Sequence, residues 1–358
     1  MTEAKTIREA LQVRQAQHDF LDRVDGPHGT AIGARDGRPV IQVFLEHKVH
    51  ATWLCEGDAV PPVLEHDGLT CATEVFQVGG ELAAPSEPGP LSGPALQLRQ
   101  RLRGGDPYLQ PGSQLSFQDD SGEQASGTLA AFARCRETGK LGLLTNAHVG
   151  VFEGNVLTHP DVHSRIVARV TRLVRLEPAA SHWGGVIQVP DAHFLLDCAF
   201  AELVDPLPPL RTELPWLSDE GTVEYAPLGT AREIDLDDPA LWPIGTAVFS
   251  VGRSRGEQRG TVRGLAFQYA DGPHVSCYTD LLVTSEDESE GGWFSWPGDS
   301  GKLVVTDDED AIPVGLLWGG NLLRTNRDYE LVDHSFAAGA FAVQEALGID
   351  LLRELPKR

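Results

Sequence analysis

The chain has 358 residues and a formal net charge of −23 at pH 7, from 29 Lys and Arg against 52 Asp and Glu. Such an acidic balance argues against binding to a phosphate backbone and against anionic membrane surfaces, so no nucleic acid and no membrane is expected as a partner. With 41% hydrophobic and 23% charged residues, the composition suits a soluble globular chain long enough for two domains of ordinary size.

Residues 3–24 read as an amphipathic helix, because Ile7, Ala10, Leu11, Phe20, Leu21 and Val24 recur at helical spacing. Packing on its own domain is the favoured role; oligomerisation, with a second copy of the chain as partner, is the lesser one. A turn at Asp36-Gly37 precedes an apolar run, Pro39 to Leu45, and Thr73 to Val78 gives a further strand. Residues 1–82 are therefore expected to form a helix and a small α/β domain. Residues 83–111 are rich in Pro and Gly, carry Arg99-Gln100-Arg101-Leu102-Arg103-Gly104-Gly105, and read as a solvated basic linker.

From Gly112 onward the pattern is mainly β. Gly127 to Ala133 and Leu141 to Thr145 predict a hairpin about Thr138-Gly139-Lys140. Pro-rich stretches divide the segment into 112–205, a connection at 206–242, and a second set of strands over 243–335. Ala340 to Leu347, stopped by Gly348, predicts a helix within a C-terminal segment 336–352.

Three motifs carry chemistry. Trp296-Pro297-Gly298-Asp299-Ser300-Gly301 is a turn that can present one serine while Gly298 and Gly301 adopt angles closed to other residues. The N–H groups of Gly298 and Ser300 can then converge as an oxyanion hole. Upstream, the apolar strand Leu141 to Thr145 runs into Asn146-Ala147-His148-Val149, and Leu195-Leu196-Asp197-Cys198-Ala199-Phe200 sets one acid in an apolar run. A carboxylate is tolerated there when it has a partner, which favours Asp197 over Asp191.

Thr-Asn-Ala-His-Val, Asp-Cys-Ala-Phe and Gly-Asp-Ser-Gly, in the order His148, Asp197, Ser300, resemble the motifs of the chymotrypsin/trypsin family. The resemblance covers roughly residues 112–345. It is nearest to the intracellular trypsin-like proteases of bacteria and plants that carry an added N-terminal domain. It implies two six-stranded antiparallel β-barrels and a serine endopeptidase acting on protein or peptide substrates, without cofactor or metal. The alternative is a scaffold or regulatory protein that keeps the fold and rarely cleaves.

In the family the position six residues before the nucleophile sets the base of the primary pocket. Here it is Phe294, with Trp318-Gly319 matching one pocket wall, so cleavage after apolar residues is expected. Glu286, Asp287, Glu288 and Glu290 are the nearby acids that could change this. Asp299 matches the acid that, in digestive members, pairs with a freed N-terminus. The barrel entrance, Tyr108 to Ser113, holds no basic residue followed by the expected apolar pair, so Asp299 is expected to pair internally, with a side chain or backbone donors, or to stay solvated. Lys302 stands where the family usually has a small residue, and its side chain either obstructs the pocket or points away.

Other patterns are read as structural. Gly252-Arg253-Ser254-Arg255-Gly256 matches a nucleophile elbow, but a strand comes after it where a helix is required, so it reads as a hairpin turn. His159 and His163 are interrupted by Pro160 and read as a surface loop. Five cysteines without a C-x-x-C pair predict neither a disulfide framework nor a zinc site. With no apolar signal core at the start and no run near the roughly 20 residues needed to span a bilayer, the cytoplasm is the expected location.

Overall fold

The computed structural model describes residues 1–21, 27–45, 59–77, 91–118, 121–270, 276–286, 293–324 and 331–356. Asp287, Glu288 and Glu290, Cys55 and Val24 lie outside them. Among the described residues no helix is long and apolar enough to cross a membrane.

The N-terminal elements are β1 (Thr2–Glu3), α1 (Ile7–Ala16), α2 (His18–Leu21), β2 (Pro27–Arg35), β3 (Arg38–Leu45), β4 (Val63–His66) and β5 (Leu69–Gln77). Helix α1 starts at Thr6, which caps Glu9 N–H while the Glu9 carboxylate reaches back to the Thr6 N–H. This reciprocal box satisfies donors that a helix start leaves free. The one helix expected over 3–24 is broken: at Gln17 the backbone leaves helical geometry, and its side-chain amide donates to Glu65 O at 2.9 Å. Strand β3 pairs antiparallel with β2 and parallel with β5. Its residues from Pro39 to Leu45 are all buried, as a strand covered on both faces should be.

These elements are not set apart from the remainder of the chain. Strand β2 continues by backbone pairing into Leu265 and Gln268 of the later sheet. Ile7, Leu11, Ile32 and Ile41 share one apolar core with Leu265, Tyr278, Leu281 and Leu317. Each such buried side chain contributes about 1.5–3 kcal/mol.

The segment read as a linker contains α3 (Gly93–Gln100), running into a tight further turn over Arg101–Gly105. Pro94 occupies the first turn, where a missing N–H costs nothing. Leu98 and Leu102 are fully buried and belong to the core under Phe249, Val251 and Leu303. Their spacing of four residues, between Pro94 and Gly104-Gly105, was the available signal; the Pro/Gly content of the whole segment obscured it.

The first ring of strands comprises β6 (Gln114–Gln118), β7 (Gln124–Thr128), β8 (Ala131–Cys135) and β9 (Leu141–Thr145). After α4 (Ala147–Gly150) it continues with β10 (Val156–His159), β11 (Arg165–Pro178) and β12 (His193–Leu203). With β7 and β8 consecutive along one bent path, the pairings run β6, β7–β8, β9, β12, β11, β10 and return to β6 at Thr158↔Ser116. This is a closed six-stranded antiparallel barrel, with Leu115, Phe132, Leu143, Val170 and Ala199 inside its core. The hairpin expected about Thr138-Gly139-Lys140 joins β8 and β9.

The connection 206–242 holds a hairpin that the sequence reading did not include, β13 (Leu214–Leu217) with β14 (Val223–Ala226). Beyond it come β15 (Ala247–Gly252), β16 (Gly256–Ala270), β17 (Ser276–Ser285), β18 (Leu303–Thr306), β19 (Pro313–Arg324) and β20 (Leu331–Gly339). Their antiparallel pairings run β15, β16, β17, β20, β19, β18 and back to β15. Gly252 pairs with Gly256 across the β15–β16 turn, so the Gly-Arg-Ser-Arg-Gly segment is a hairpin turn, as expected. Helix α5 (Ala340–Leu347) ends at Gly348, whose φ of +62° is the left-handed angle that suits glycine at a helix end. Strand β21 (Ile349–Leu351) then returns to β8.

Candidate active site

His148 lies on the single turn α4, where strand β9 gives out at Asn146. Strand β12 pairs with β9 from Ala199↔Thr145 onward, which brings the preceding Asp197 opposite the start of α4. Asp197 is 5% exposed and has φ +40°, an unusual angle for a residue with a β-carbon. One carboxylate oxygen accepts the His148 backbone N–H at 3.0 Å. The other meets His148 Nδ1 in a short contact. The Asn146 side-chain amide donates to Asp197 O at 2.8 Å. The acid thus grips both the ring and the backbone of the histidine, fixing which ring nitrogen faces outward.

The turn 296–302 can be followed group by group. Asp299 N donates to Trp296 O at 2.9 Å, Lys302 N to Asp299 O at 3.0 Å and Gly301 N to Leu317 O at 2.9 Å. Trp296 N donates to the Asp299 carboxylate. Pro297 O accepts from Ser254 Oγ at 2.8 Å and Gly298 O from Thr128 Oγ1 at 2.9 Å. Ser300 O accepts from Thr128 N at 2.8 Å. Since Pro297 has no N–H, the N–H groups left without an acceptor among the described hydrogen bonds are those of Gly298 and Ser300. Unpaired donors flanking one residue are uncommon in folded chains and are what an oxyanion requires. Gly298 and Gly301 have φ of +90° and +93°, as the sequence reading required.

The two motifs meet across the rings. A β-carbon at Gly301 would fall 2.4 Å from Thr128 O and 2.5 Å from Thr145 Oγ1, so only glycine lets the serine turn approach the strand that leads to His148. The described hydrogen bonds join Asp197 to His148; none joins His148 to Ser300.

Asp299 has an internal partner. Both it and Lys302 are fully buried, with Lys302 Nζ 3.5 Å from Asp299 Oδ2. The same ammonium donates to Gln258 Oε1 at 2.9 Å and to Phe294 O, and lies 4.7 Å from the centre of the Phe294 ring. The other Asp299 oxygen accepts Ser254 N at 3.1 Å. Lys302 therefore points away from Ser300 and into the core.

Phe294 is fully buried beneath that lysine. Trp318 is part-buried, donates to Thr279 Oγ1 at 3.0 Å and stacks on Phe336. A β-carbon at Gly319 would meet nothing within 4 Å. Sequence reasoning missed Ser295, whose Oγ accepts from Ser335 Oγ at 2.8 Å and against which Gly320 packs. No local signal marked these, because Ser295, Gly320 of β19 and Ser335 of β20 come together from separate parts of the chain. Asp191 lies on an exposed turn. His159 bonds Gln114 O at the end of β10 rather than on a helix. Among the described residues Cys71, Cys135, Cys198 and Cys277 form no disulfide, and there is no cluster of metal ligands.

A second buried charged cluster joins the rings elsewhere. His182 lies between Glu177 Oε2 of β11 at 2.8 Å and Asp280 Oδ1 of β17 at 2.6 Å, beside a cavity of about 310 Å³. Burial disfavours its charge, but Asp280 and Glu177 outweigh that and raise its pKa to about 9.

Residues 2–76 match the family model described as the NARROW LEAF 1 N-terminal domain, and residues 196–335 match the Nal1 C-terminal domain. The chain is 29% identical over 345 residues to Protein NARROW LEAF 1 of Oryza sativa subsp. japonica. The alignment takes in 90% of this chain and 56% of the relative, so the chain spans little more than half of that protein's length. Among solved structures it is similar to Thermobifida fusca Protease A at 13% identity, over 68% of this chain and 98% of that one, with a TM-score of 0.41. Cellulomonas bogoriensis chymotrypsin is similar at 14% identity, over 69% and 100% of the two chains, with a TM-score of 0.40. The matched family bears no protease name, so it does not itself supply the protease membership expected from the motifs. By the two domain matches, in order along the sequence, the chain is similar to NARROW LEAF 1 proteins at both its N-terminal and its C-terminal domain.

Proposed function

We propose that the chain is a serine-type endopeptidase, and that the second ring of strands is the second barrel of a chymotrypsin-like pair with the site between them. The observation that carries this reading is the turn 296–302, where hydrogen bonding leaves free the two N–H groups on either side of Asp299. Ser300 Oγ attacks a peptide carbonyl while His148 Nε2 takes its proton. Asp197 holds the imidazole and stabilises the imidazolium. The Gly298 and Ser300 N–H groups receive the oxyanion. The C–N bond then breaks, His148 gives its proton to the departing amine, and a water activated by His148 hydrolyses the acyl-enzyme.

Protein or peptide substrate, apolar preference at the cleaved residue and a cytoplasmic site of action belong to the same proposal. Phe294 supplies no charge to a primary pocket, and Gly319 leaves room beside one. The scaffold alternative leaned on a lysine beside the nucleophile, on the acidic charge and on the N-terminal helix; Lys302 is buried and turned inward, which removes the first of these grounds.

The test is labelling by a fluorophosphonate probe. The folded chain should be labelled at Ser300, and Ser300→Ala and His148→Ala should not be. Folded, intact protein that takes no label would overturn the proposal and favour the scaffold.

A further inference from the structure

The turn that presents Ser300 is bordered by arginines. Arg253, in the β15–β16 turn, is half-buried with its guanidinium against Gly298: a β-carbon on that glycine would fall 2.3 Å from Nη2 and 2.4 Å from Nε. Arg253 Nη1 donates to Gln114 Oε1 at 3.1 Å. Arg103, from the turn after α3, donates through Nε to Arg253 O at 2.9 Å and is otherwise only partly covered. Arg99, one turn earlier, is half-buried. The Nε atoms of Arg99 and Arg253 are buried without a hydrogen-bond partner.

The charges there do not balance. Among the described residues none of the three arginines has a carboxylate within ion-pair distance. Asp299 is the carboxylate whose field reaches Arg103 and Arg253. Its oxygens are already engaged by Ser254 N, Trp296 N and Lys302. Among the described residues three arginines and Lys302 therefore face one anion, in a chain whose net charge is −23. Burial, with Arg99 and Arg253 close by, pulls Arg103 down to about 10 against the opposing effect of Asp299. Burial also lowers Arg253. Half-buried guanidinium groups held together without a counterion are costly, and a planar fork of donors is suited to a carboxylate.

We propose that Arg253, Arg103 and Arg99 form an anion subsite beside the oxyanion hole that takes a substrate carboxylate, from an acidic side chain or a chain terminus, at a position other than the residue whose bond is cut. The inference rests on the endopeptidase reading for its placement along a substrate, and deepens it by naming a second determinant of substrate choice. A peptide bound across Ser300 must pass Gly298, and the Arg253 guanidinium lies against that residue. The proposal also gives the segment around α3 a role in recognition, since it brings Arg99 and Arg103 to the site.

The experiment uses the whole 358-residue chain carrying Ser300→Ala and labelled peptides followed by fluorescence anisotropy. Each peptide has an apolar residue at the intended cleavage position. Its flanking positions carry Asp/Glu in one member of a pair and Asn/Gln in the other; a third set differs only in a free or amidated C-terminus. The acidic member should bind about tenfold tighter, by the strength of charge-assisted hydrogen bonds discounted for partial exposure. That margin should shrink with added salt. Arg253→Gln should remove it, and so should Arg99→Gln combined with Arg103→Gln, a pair outside the turn itself should Arg253→Gln fail to fold. Whether side-chain or terminal acid gives the larger margin identifies the source of the carboxylate. Equal binding within every pair would overturn the inference, as would a preference unchanged in the Arg99/Arg103 variant. Inorganic phosphate held by the arginines, with no preference among the peptides, would also overturn it. Fluorophosphonate labelling of the unsubstituted chain reports on the endopeptidase reading separately. Label without acid preference sinks the subsite alone, and acid preference without label sinks the endopeptidase alone.

Discussion

In the first ring, the side chain of His148 is 42% exposed while its carboxylate partner is 8% exposed. In the second, the turn bearing Ser300 is anchored by a carboxylate and an ammonium that are both fully buried. The histidine half is oriented by one acid that grips ring and backbone together, leaving the outer imidazole nitrogen toward the surface. The serine half is held from beneath, with Lys302 joining Asp299, Gln258 and Phe294 below the surface that a substrate would meet. Under the proposed endopeptidase reading the contrast follows from what each half would do: one would move a proton and stay accessible, whereas the other would keep two N–H groups aimed at a point. A buried, multiply bonded ion pair suits the second requirement because displacing either charge exposes an unpaired one to a low dielectric.

The largest expected break falls on the first half. Asp197→Asn should leave the fold intact, because the amide oxygen can still accept the His148 backbone N–H. The ring would then be held in the wrong tautomer, and peptide hydrolysis should fall about 10⁴-fold. Steady-state hydrolysis of a peptide found by substrate profiling checks this. A loss of tenfold or less would mean that the carboxylate does not orient the base, taking about 1.4 kcal/mol per factor of ten.

Breaking the second half should register in stability as well as in rate. Lys302→Met leaves Asp299 buried without its cation and should cost about 3–5 kcal/mol in urea unfolding, with slower fluorophosphonate labelling. Asp299→Asn with Lys302→Met should restore much of the stability and little of the labelling. Equal recovery of both would show that the pair stabilises the fold without ordering the turn.

The smallest effect sharpens the comparison by adding a third buried charge, at the junction of the rings. The imidazolium of His182 keeps its proton up to about pH 9, whereas an unfolded histidine releases it near pH 6.5. Its contribution, at most about 3 kcal/mol, is therefore complete below pH 6.5 and lost as the pH rises toward 9. His334 behaves in the opposite sense. Burial, aided by Arg263, holds it neutral down to about 3, so its contribution is complete above pH 6.5 and lost as the pH falls. Chemical unfolding measured across pH should show both slopes, and His182→Gln should flatten the alkaline one alone. An alkaline slope unchanged in that variant would refute the assignment.

The features legible in the sequence are local ones. Thr-Asn-Ala-His, the lone acid of Leu195–Ala201 and Gly-Asp-Ser-Gly named His148, Asp197 and Ser300. The two glycines of the turn announced their positive φ angles, and Gly348 announced the end of α5. Each signal is written in neighbouring residues, because turn angles and strand ends depend on a few consecutive side chains. That Asp299 would pair internally or stay solvated was legible; the partner was not, although it lies three residues on. Lys302 points inward because Gln258 and Phe294, 44 and 8 residues away, offer its ammonium the acceptors that burial requires. Similarly, Arg99 and Arg103 read as part of a solvated linker, yet Leu98 and Leu102 are buried against the second ring and carry the arginines toward Gly298. His182 had no motif at all, since Glu177 and Asp280 reach it from strands β11 and β17 of different rings. Such features emerge only in the folded chain, because a buried charge is settled by which distant groups close around it.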